Sequence, residues 1–337
     1  MFKKNLYLIM LEPLESRYTK QWLTHLPKKF SKYFDVKVIV GKPLPDKIDK
    51  GRFLDIYQTN IWKSDQINVL ANLFQENKIK DGDSFLFMDG WHYGITALKY
   101  MAQLSNIKIK TYAYWHAGTW DEHDFITQAG LKDWAKYSEA GWFRACDGHF
   151  VATQFHKNLI EKQFGREIGR KIHVVGFPMD WKKEVSIVDK KLEKENIVAF
   201  PHRLDPEKQP EIFDKLKKDN PDCRFLKTIE LTNNKEDYYS LLKKSKVSFS
   251  SSLQETFGIG TVEALFLDCI PLVPDRLSYT ELYLDEFKYK TLDEAQVKLD
   301  QFIEYYPKFK KLIKENQKHI KKQSNDSIKL MSKVMKK

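Results

Sequence analysis

Two glutamates separated by seven residues flank a glycine-rich segment in the second half of this 337-residue chain. They are Glu255 and Glu263, with Gly258 and Gly260 between them. The segment follows an apolar strand pattern and opens an apolar helix pattern, so backbone N–H groups at the helix start could bind an anion. Carboxylates beside an anion site are useful when they accept hydrogen bonds from hydroxyl groups. A sugar nucleotide combines a diphosphate with sugar and ribose hydroxyls, and the segment fits such a ligand.

A second charged segment, PHRLDPEK at residues 201–208, follows the first strand of the same predicted domain. Arg203 can donate two parallel hydrogen bonds to a phosphate, and Lys208 can supply a second positive charge. An arginine and a lysine at this spacing are also common on ordinary protein surfaces. Their occurrence in one domain with the two glutamates favours a diphosphate site.

Together these motifs resemble the donor-binding domain of GT-B glycosyltransferases, in particular the retaining family 4-like group. The resemblance covers about residues 170–280 and also includes the run IPLV at 270–273. It departs from the family at two places, because His202 replaces a glycine and Phe177-Pro178 replaces Asn-Gly.

The resemblance implies specific roles for the donor-binding residues. Arg203 and Lys208 would hold the donor diphosphate, Glu255 would accept hydrogen bonds from the transferred sugar, and Glu263 would accept them from the ribose. Backbone N–H groups would also face the diphosphate, and they belong to Gly258, Ile259, Gly260 and Thr261. For both glutamates, the alternative is a carboxylate stabilised by the helix dipole, which fits Glu255 better than Glu263 two turns into the helix.

Strand and helix patterns alternate along the whole chain, which predicts mostly parallel, doubly wound sheets. A lysine-rich stretch without apolar periodicity, residues 181–195, is the expected linker. The predicted fold is therefore α/β, with two Rossmann-like domains facing each other across a cleft: an acceptor-binding domain at 1–179 and a nucleotide-sugar-binding domain at 180–337. Strands are expected at 6–11, 36–40, 84–88, 110–115, 149–152, 172–175, 197–200, 223–229, 246–250 and 270–273, and helices include one at 65–78 capped by Asp65.

Two polar residues follow predicted strands of the first half. His116 ends the run YWHAG and resembles the strand-terminal histidine that touches the donor sugar in the family. Asp89 could accept a proton from an incoming hydroxyl, or it could be an ordinary turn residue before Gly90. The family implies front-face substitution without an enzymatic nucleophile, and no metal-binding Asp-x-Asp motif is present. The expected catalytic set is His116, Glu255 and Asp89, with no metal and no cofactor besides the nucleotide-sugar co-substrate.

The acceptor is less clearly marked than the donor. All eight tryptophans fall within the first 181 residues; most aromatic residues of such a domain are core, and exposed ones could stack on sugars or nucleobases. The first loop, residues 11–19, resembles that of phage enzymes that glycosylate hydroxymethylated pyrimidines in DNA. The predicted acceptor-binding residues are Arg17, Trp91, His92 and Trp120.

The net charge of +11 is concentrated at the C-terminus. Residues 308–337 contain eleven lysines but only Glu315 and Asp326 as acids. A basic helix of this kind could contact DNA phosphates or an anionic membrane, or it could present an ordinary solvated face.

Composition bounds the remaining possibilities. No apolar run approaches the roughly 18 residues of a membrane span, and the apolar N-terminal run lacks a signal-peptide cleavage site, so it is expected to be a buried strand. Three widely spaced cysteines, Cys146, Cys223 and Cys269, fit a reducing cytoplasm. If the protein is phage-encoded, this would be the cytoplasm of the host cell.

Three functions compete at this point. The leading one is a retaining glycosyltransferase that moves a sugar to a hydroxyl acceptor, such as 5-hydroxymethylpyrimidine in phage DNA. The alternatives are a bacterial enzyme acting on a glycolipid or polysaccharide, and a GT-B protein that binds without catalysis. A dehydrogenase is disfavoured, because no Gly-x-Gly-x-x-Gly follows the first strand.

Overall fold

The structure is a computed structural model that describes residues 3–15, 17–43, 55–189 and 191–337. Met1 and Phe2 of the apolar N-terminal run and Ser16 of the first loop lie outside these ranges. The chain divides into two compact units, residues 1–179 with 324–337, and residues 180–323. The first unit thus ends at Met179, but residues 324–337 group with the first unit rather than with the second, where the sequence analysis placed them.

The first unit contains a six-stranded sheet in which all strand pairs are parallel. The strand order is β2-β1-β3-β4-β5-β6. The strands are β1 (Asn5–Ile9), β2 (Asp35–Ile39), β3 (Ser84–Phe87), β4 (Lys110–Tyr114), β5 (Gly148–Val151) and β6 (Ile172–Val174). Each strand lies within two residues of its predicted position.

Within the described residues, seven helices of the first unit connect these strands. They are α1 (Thr19–Phe30), α2 (Ile56–Gln75), α3 (Gly94–Leu104), α4 (Phe125–Gln128), α5 (Lys132–Ala145), α6 (Gln154–Phe164) and α7 (Arg166–Arg170). The predicted start of α2 is wrong, because the helix begins nine residues earlier and is capped by Asp55, which accepts from the N–H groups of Tyr57 and Gln58. Asp65 lies inside the helix and accepts a hydrogen bond from Lys42 N.

Aromatic side chains form much of the first unit's core. Tyr7 and Phe85 stack across β1 and β3 with ring centroids 4.7 Å apart, and Trp115 stacks on Phe143 at 4.1 Å. Because a parallel sheet is covered on both faces, its strands are apolar along their whole length. Most of the tryptophan-rich composition is therefore used for packing.

The second unit contains a five-stranded parallel sheet in the order β11-β10-β9-β7-β8. Its strands are β7 (Glu195–Phe200), β8 (Arg224–Lys227), β9 (Ser245–Phe249), β10 (Ile270–Pro274) and β11 (Lys288–Tyr289). Its helices are α8 (Trp181–Glu184), α9 (Pro210–Asp219), α10 (Thr228–Leu231), α11 (Lys235–Lys244), α12 (Ile259–Phe266), α13 (Tyr279–Leu282), α14 (Leu292–Glu304) and α15 (Tyr306–Met335), the last of which continues into the first unit.

Three features of the second unit differ from the predictions. The stretch expected to be a linker begins with α8, in which Trp181 is buried and stacks on Phe257 at 5.8 Å. The predicted strand at 223–229 ends at Lys227, because the chain turns there into α10. The short strand β11 was not predicted, since two residues carry too little alternation to be detected.

The C-terminal helix α15 is amphipathic. Its nine lysines, from Lys308 to Lys333, are all exposed, whereas the apolar residues between them, except Leu330, are buried or half-buried. The buried apolar residues are Ile313, Ile320, Ile328, Met331 and Met335. The lysine face is thus the solvated side of a helix whose apolar side is already covered by the protein.

These sheets confirm the predicted α/β class with two parallel-sheet units. In such sheets, ligands bind beyond the carboxyl ends of the strands. His116 follows β4, Asp89 follows β3, and Glu255 follows β9. Across the described ranges, no helix is long and apolar enough to cross a membrane.

Candidate active site

Helix α12 begins directly within the glycine-rich segment. Gly258 is its N-cap with φ of +81°, a left-handed conformation that favours glycine, and a Cβ atom there would lie 2.8 Å from the Tyr279 ring. The first backbone hydrogen bond of the helix runs from Val262 N to Gly258 O, and no side chain of the described residues caps the helix start. The N–H groups of residues 259–261 are therefore directed out of the helix end, as anion binding requires.

Gly260 permits a close approach between α12 and the end of β7. A Cβ atom at Gly260 would lie 2.5 Å from the carbonyl oxygen of Pro201. A larger residue would push the helix start away from the strand. Because His202 and Arg203 follow Pro201 directly, this approach brings the helix start beside the cationic segment. Thr261 is buried, so only its backbone could face a ligand.

Lys208 holds the Glu255 carboxylate. Its Nζ atom lies 2.9 Å from Glu255 Oε1, 2.6 Å from the carbonyl oxygen of Gln254 and 3.2 Å from Gln254 Oε1. The Lys208 side chain is only 6% exposed, and its ammonium group has three acceptors in the loop before α12. Lys208, predicted to bind phosphate, is thus placed to orient Glu255 as well.

His202 also approaches the Glu255 carboxylate. Its Nδ1 atom lies 3.6 Å from Glu255 Oε1. Burial lowers the pKa of His202 to about 4, more than the neighbouring Glu255 raises it, so the ring is neutral at pH 7. Within the described part of the chain, the nitrogen atoms that reach this carboxylate contact Oε1. Neither of these two contacts involves the second oxygen, Oε2.

Arg203 lies at the same end of β7 and forms ion pairs within its own loop. Its guanidinium nitrogens are 3.1 Å from Asp205 Oδ2 and 3.4 Å from Glu207 Oε1. About a third of the side chain is exposed. These carboxylates hold the guanidinium near the helix start, where a diphosphate would compete with them for its hydrogen bonds.

Glu263 lies within α12 and is 7% exposed. The Tyr239 hydroxyl donates to Oε1 at 2.7 Å, and the Tyr238 hydroxyl donates to Oε2 at 3.3 Å. Burial raises the pKa of Glu263 to about 7, although both phenols and the nearby Lys235 lower it. A carboxylate with this pKa changes its charge near neutrality. It is the fifth residue of α12, just beyond the first turn, where the helix dipole contributes little.

A second carboxylate lies behind this pair of tyrosines. Glu184 of α8 is 8% exposed, has its Oε1 atom 3.3 Å from the Tyr239 hydroxyl and forms an ion pair with Lys235 of α11. Sequence reasoning missed this network. The only available signal was the spacing of Lys235 and Tyr239, which puts both on one face of a helix, and nothing in that spacing connects them to Glu263.

In the first unit, His116 is held by the carbonyl of the neighbouring strand. Its Nε2 atom lies 2.8 Å from Met88 O, so Nε2 carries the proton and donates it. The ring packs against Trp22, with centroids 5.6 Å apart, and against Tyr114 at 5.2 Å. Burial lowers the pKa of His116, which makes the ring neutral. A neutral, oriented imidazole can hydrogen bond to a sugar hydroxyl, and this predicted role stays a prediction.

Asp89 is bound through both of its carboxylate oxygens. Oδ2 lies 2.8 Å from Lys63 Nζ, and Oδ1 accepts from Trp91 N at 3.0 Å. Burial would raise the pKa of Asp89, but the Lys63 charge and the hydrogen bonds from Lys63 and Trp91 N outweigh it, and the pKa is lowered. A carboxylate with a lowered pKa is a weak base. Of the two interpretations left open by the sequence, this geometry favours the turn residue over the proton acceptor.

Two predicted acceptor residues are core residues in this structure. His92 is 2% exposed, accepts from Gly94 N at 2.9 Å and contacts Gln66 Oε1 at 3.0 Å, and burial lowers its pKa to about 3. Trp120 is 5% exposed and packs against Trp115 at 5.5 Å between ring centroids. The acceptor roles predicted for both have no support in this arrangement, because both rings are used for packing.

The other two predicted acceptor residues are half-buried. Trp91 donates from Nε1 to Glu139 Oε1 at 2.9 Å and packs against Trp142. Arg17 lies in the first loop, where its backbone N–H donates to Leu14 O at 3.0 Å. Their acceptor roles stay predictions.

The fold compares closely with solved glycosyltransferases. Sucrose-phosphate synthase from Thermosynechococcus elongatus superposes with a TM-score of 0.66 at 10% identity, over 99% of this chain and 98% of that one. The catalytic domain of starch synthase IV from Arabidopsis thaliana, bound to ADP and acarbose, gives 0.65 at 10% identity, over 98% and 100% of the two chains. This chain therefore has the GT-B fold of glycosyltransferases.

Narrower likenesses concern particular proteins. TarM of S. aureus, solved as a variant with UDP, is similar with a TM-score of 0.54 at 16% identity over 80% of this chain, which spans 58% of TarM. The tRNA-queuosine alpha-mannosyltransferase of Drosophila melanogaster is 34% identical over 68 residues, which is 20% of this chain and 18% of that relative. No family model matches the sequence.

Proposed function

We propose that this chain is a nucleotide-sugar-dependent glycosyltransferase that transfers its sugar to a hydroxyl group of a nucleic acid base. The observation that carries the donor half is the Lys208–Glu255 pair at 2.9 Å, held at the open N-terminus of α12. This arrangement offers a cation, a carboxylate and free backbone donors within one loop. A nucleotide sugar needs all three, because it carries a diphosphate beside hydroxyl groups.

Each part of the nucleotide sugar has its own binding group in the protein. The N–H groups of residues 259–261 and the Arg203 guanidinium bind the diphosphate. Glu255 accepts from a sugar hydroxyl through Oε2, since Oε1 is held by Lys208. Glu263 accepts from the ribose. Similar GT-B proteins support a nucleotide ligand, because starch synthase IV was solved with ADP and TarM with UDP.

The proposed reaction retains the configuration at the anomeric carbon. The acceptor oxygen attacks on the face from which the diphosphate departs, a carbon–oxygen bond forms as the bond to the diphosphate breaks, and the acceptor proton passes to a diphosphate oxygen. The leaving group is stabilised, as its charge develops, by the positive charges of Arg203 and Lys208 and by the N–H groups of α12. The lowered pKa of Asp89 agrees with a route in which the leaving group, and not this carboxylate, takes the proton.

Two observations support a nucleic acid acceptor. The named activity of the Drosophila relative concerns a tRNA nucleoside. The exposed lysines of α15 could bind phosphates, whereas most of its apolar residues are buried or half-buried and offer little surface for insertion into a membrane. Hydroxymethylated pyrimidine in DNA is one such acceptor. A glycolipid or polysaccharide acceptor, and a binding protein without catalysis, are the other outcomes of the test.

The test separates donor from acceptor. Purified protein is incubated with UDP-, GDP- and ADP-sugars, each combined with hydroxymethylated DNA, tRNA or a membrane extract, and transfer is followed by mass spectrometry. We expect transfer to one of the nucleic acids, lost in Glu255→Ala. Transfer only to the membrane extract would replace the acceptor assignment. Nucleotide-sugar binding without transfer or hydrolysis would leave a binding protein, and no binding at all would overturn the donor site.

A further inference from the structure

The Glu263 carboxylate is joined to a second buried carboxylate by a single hydroxyl group. The Tyr239 oxygen lies 2.7 Å from Glu263 Oε1 and 3.3 Å from Glu184 Oε1. A phenol donates only one proton, and the shorter distance shows that Glu263 receives it. Lys235 contacts the same Oε1 atom of Glu184 from one turn earlier in α11. Two carboxylates and one ammonium group thus share a largely buried space.

The groups that face Glu263 come from two of the elements packed against α12. Helix α11 contributes Lys235, Tyr238 and Tyr239, and α8 contributes Glu184. Strand β9 carries one titratable side chain, Lys246, whose amine donates to Asn196 Oδ1 and Ile303 O instead. Strand β10 carries none, and α15 places the neutral Gln317 amide on Leu265 O. The charge on Glu263 is therefore governed by one ammonium and one competing carboxylate.

We propose that Lys235, Tyr239 and Glu184 form a positioning relay that keeps Glu263 ionised and directed at the donor ribose, and that makes donor affinity depend on pH near neutrality. This inference rests on the proposed function for its ligand. It goes beyond that function, because it assigns roles to three residues that do not touch the substrate. The hydroxyl of Tyr239 fixes the carboxylate, the ammonium of Lys235 favours its charged form, and Glu184 opposes that form while anchoring Lys235.

The sign of each contribution follows from the electrostatics. Burial raises the pKa of Glu263 to about 7, the Tyr239 hydrogen bond and Lys235 lower it, and Glu184 raises it. An ionised acceptor forms roughly twice as strong a hydrogen bond as a neutral one. Donor affinity should therefore rise as the pH rises through the Glu263 midpoint, and fall about tenfold for each pH unit below it if only the charged form binds.

Two variants shift this midpoint in opposite directions. Lys235→Met removes the favourable charge, so the midpoint moves to higher pH. Glu184→Gln removes the competing charge with little change in shape, so the midpoint moves to lower pH. Lys235→Arg restores the charge and returns the wild-type profile. Tyr239→Phe removes only the bridging hydroxyl and moves the midpoint in the same direction as Lys235→Met.

The measurement is the dissociation constant of the preferred nucleotide sugar by calorimetry, from about pH 5.5 to about pH 8.5, on the full chain. A sugar-linked diphosphate has no protonation step near neutrality, so the ligand does not contribute to the profile. Glu263→Gln is the matched control and should flatten it. In parallel, 13C NMR of labelled glutamate carboxyl groups follows the Glu263 titration without nucleotide, with Glu263→Gln giving the assignment.

Opposite displacements in Lys235→Met and Glu184→Gln, with rescue by Lys235→Arg, are the expected result. Displacements in one direction, or profiles that coincide with the wild type, would overturn the relay; so would an NMR titration that the variants do not move. A purely structural role would lower stability in both variants without separating their midpoints. Failure of the wild type to bind any nucleotide sugar would instead reject the proposed function, and the NMR titration would still decide the relay.

Discussion

Each unit places a carboxylate beside a buried lysine just beyond the carboxyl end of a strand, yet the two pairs differ in what they leave for a ligand. Lys208 lies 2.9 Å from Glu255 in the second unit, and Lys63 lies 2.8 Å from Asp89 in the first. Both lysines are 6% exposed. Lys208 has two further acceptors on Gln254 and engages only Oε1 of Glu255. Asp89, by contrast, uses both of its oxygens within the protein.

The surroundings explain this difference. Glu255 precedes the open N-terminus of α12, where Gly258 and Gly260 expose backbone donors. Asp89 precedes a tight turn in which Trp91 N donates to Oδ1 and Lys63 donates to Trp91 O at 2.6 Å. The same kind of ion pair thus engages one carboxylate oxygen in one unit, whereas in the other unit both carboxylate oxygens are used and a turn is fixed. An acid beside a lysine is therefore informative about function only when the uses of both carboxylate oxygens are known.

Isosteric neutralisation of Glu255 should produce the largest effect on activity. Glu255→Gln keeps an acceptor for Lys208, whose ammonium retains its Gln254 partners, so folding stability should fall by only about 1 kcal/mol. The charge that accepts the sugar hydroxyl is lost, and sugar transfer should slow by about 10² to 10³. Initial rates at saturating acceptor, together with thermal unfolding, measure both quantities. A variant with near wild-type rates would remove Glu255 from the reaction.

The matched change in the first unit should act on stability instead. Asp89→Asn leaves the buried Lys63 without a counter-charge, which should cost about 3 kcal/mol. Because the folded-state pKa of Asp89 is depressed below its ordinary 3.8, the wild-type contribution is present above that pH and is lost as the pH falls through the folded value. Calorimetry of both proteins at acid and neutral pH tests this.

Asp89→Asn should have little effect on the turnover of the enzyme that remains folded. The difference in folding stability between this variant and the wild type should shrink in acid. A turnover loss as large as that of Glu255→Gln, with stability preserved, would contradict the comparison. It would make Asp89 the catalytic base that the sequence also allowed.

The sequence predicted the glycine-rich helix start well because its signals are local. Gly258 and Gly260 are required by backbone geometry, and the glutamates flank them in one short segment. The alternation of apolar strands and helices was sufficient for the two parallel-sheet units. Errors at α2 and α8 arose where a helix lacks apolar periodicity, and there Asp55 and Trp181 decide the structure through a cap and a packing contact.

The remaining features depend on contacts between residues distant in sequence. Lys63 reaches Asp89 from α2, and Glu184 reaches Tyr239 from α8, across 55 positions. His92 was predicted at an open surface because it follows a strand, but the Gln66 side chain meets it in the core. One sequence gives neither the direction of a side chain nor its partner across the sheet. Burial and hydrogen bonding, and hence pKa, were therefore not predictable.

A smaller effect is expected from a methyl group at the helix start. Gly260→Ala would place a carbon 2.5 Å from Pro201 O, so α12 must shift away from β7. We expect the KM for the nucleotide sugar to rise about tenfold, because the N–H groups that bind its phosphates are displaced by a fraction of an ångström. Gly141→Ala is the control, since a Cβ at this helical position meets nothing within 4 Å and should be neutral or slightly stabilising. Equal kinetics in both variants would show that the close approach is not needed for donor binding.

The smallest effect should come from the exposed lysines of α15, because Lys329 and Lys333 lie on its solvent-exposed face. Replacing Lys329 and Lys333 by Gln removes two positive charges without touching the buried Ile328 or Met331. If these lysines bind phosphates, the logarithmic salt dependence of nucleic acid binding should become shallower by about two, one for each lost contact. Affinity at low salt should fall severalfold, whereas donor KM should stay unchanged.

Filter binding over a salt series measures this slope. The matched comparison is Lys310→Gln with Lys311→Gln, on the part of the helix that lies within the second unit. An unaltered slope in both double variants would assign the lysine face to solvation, and the nucleic acid would then have to be held by the first unit's strand-end loops.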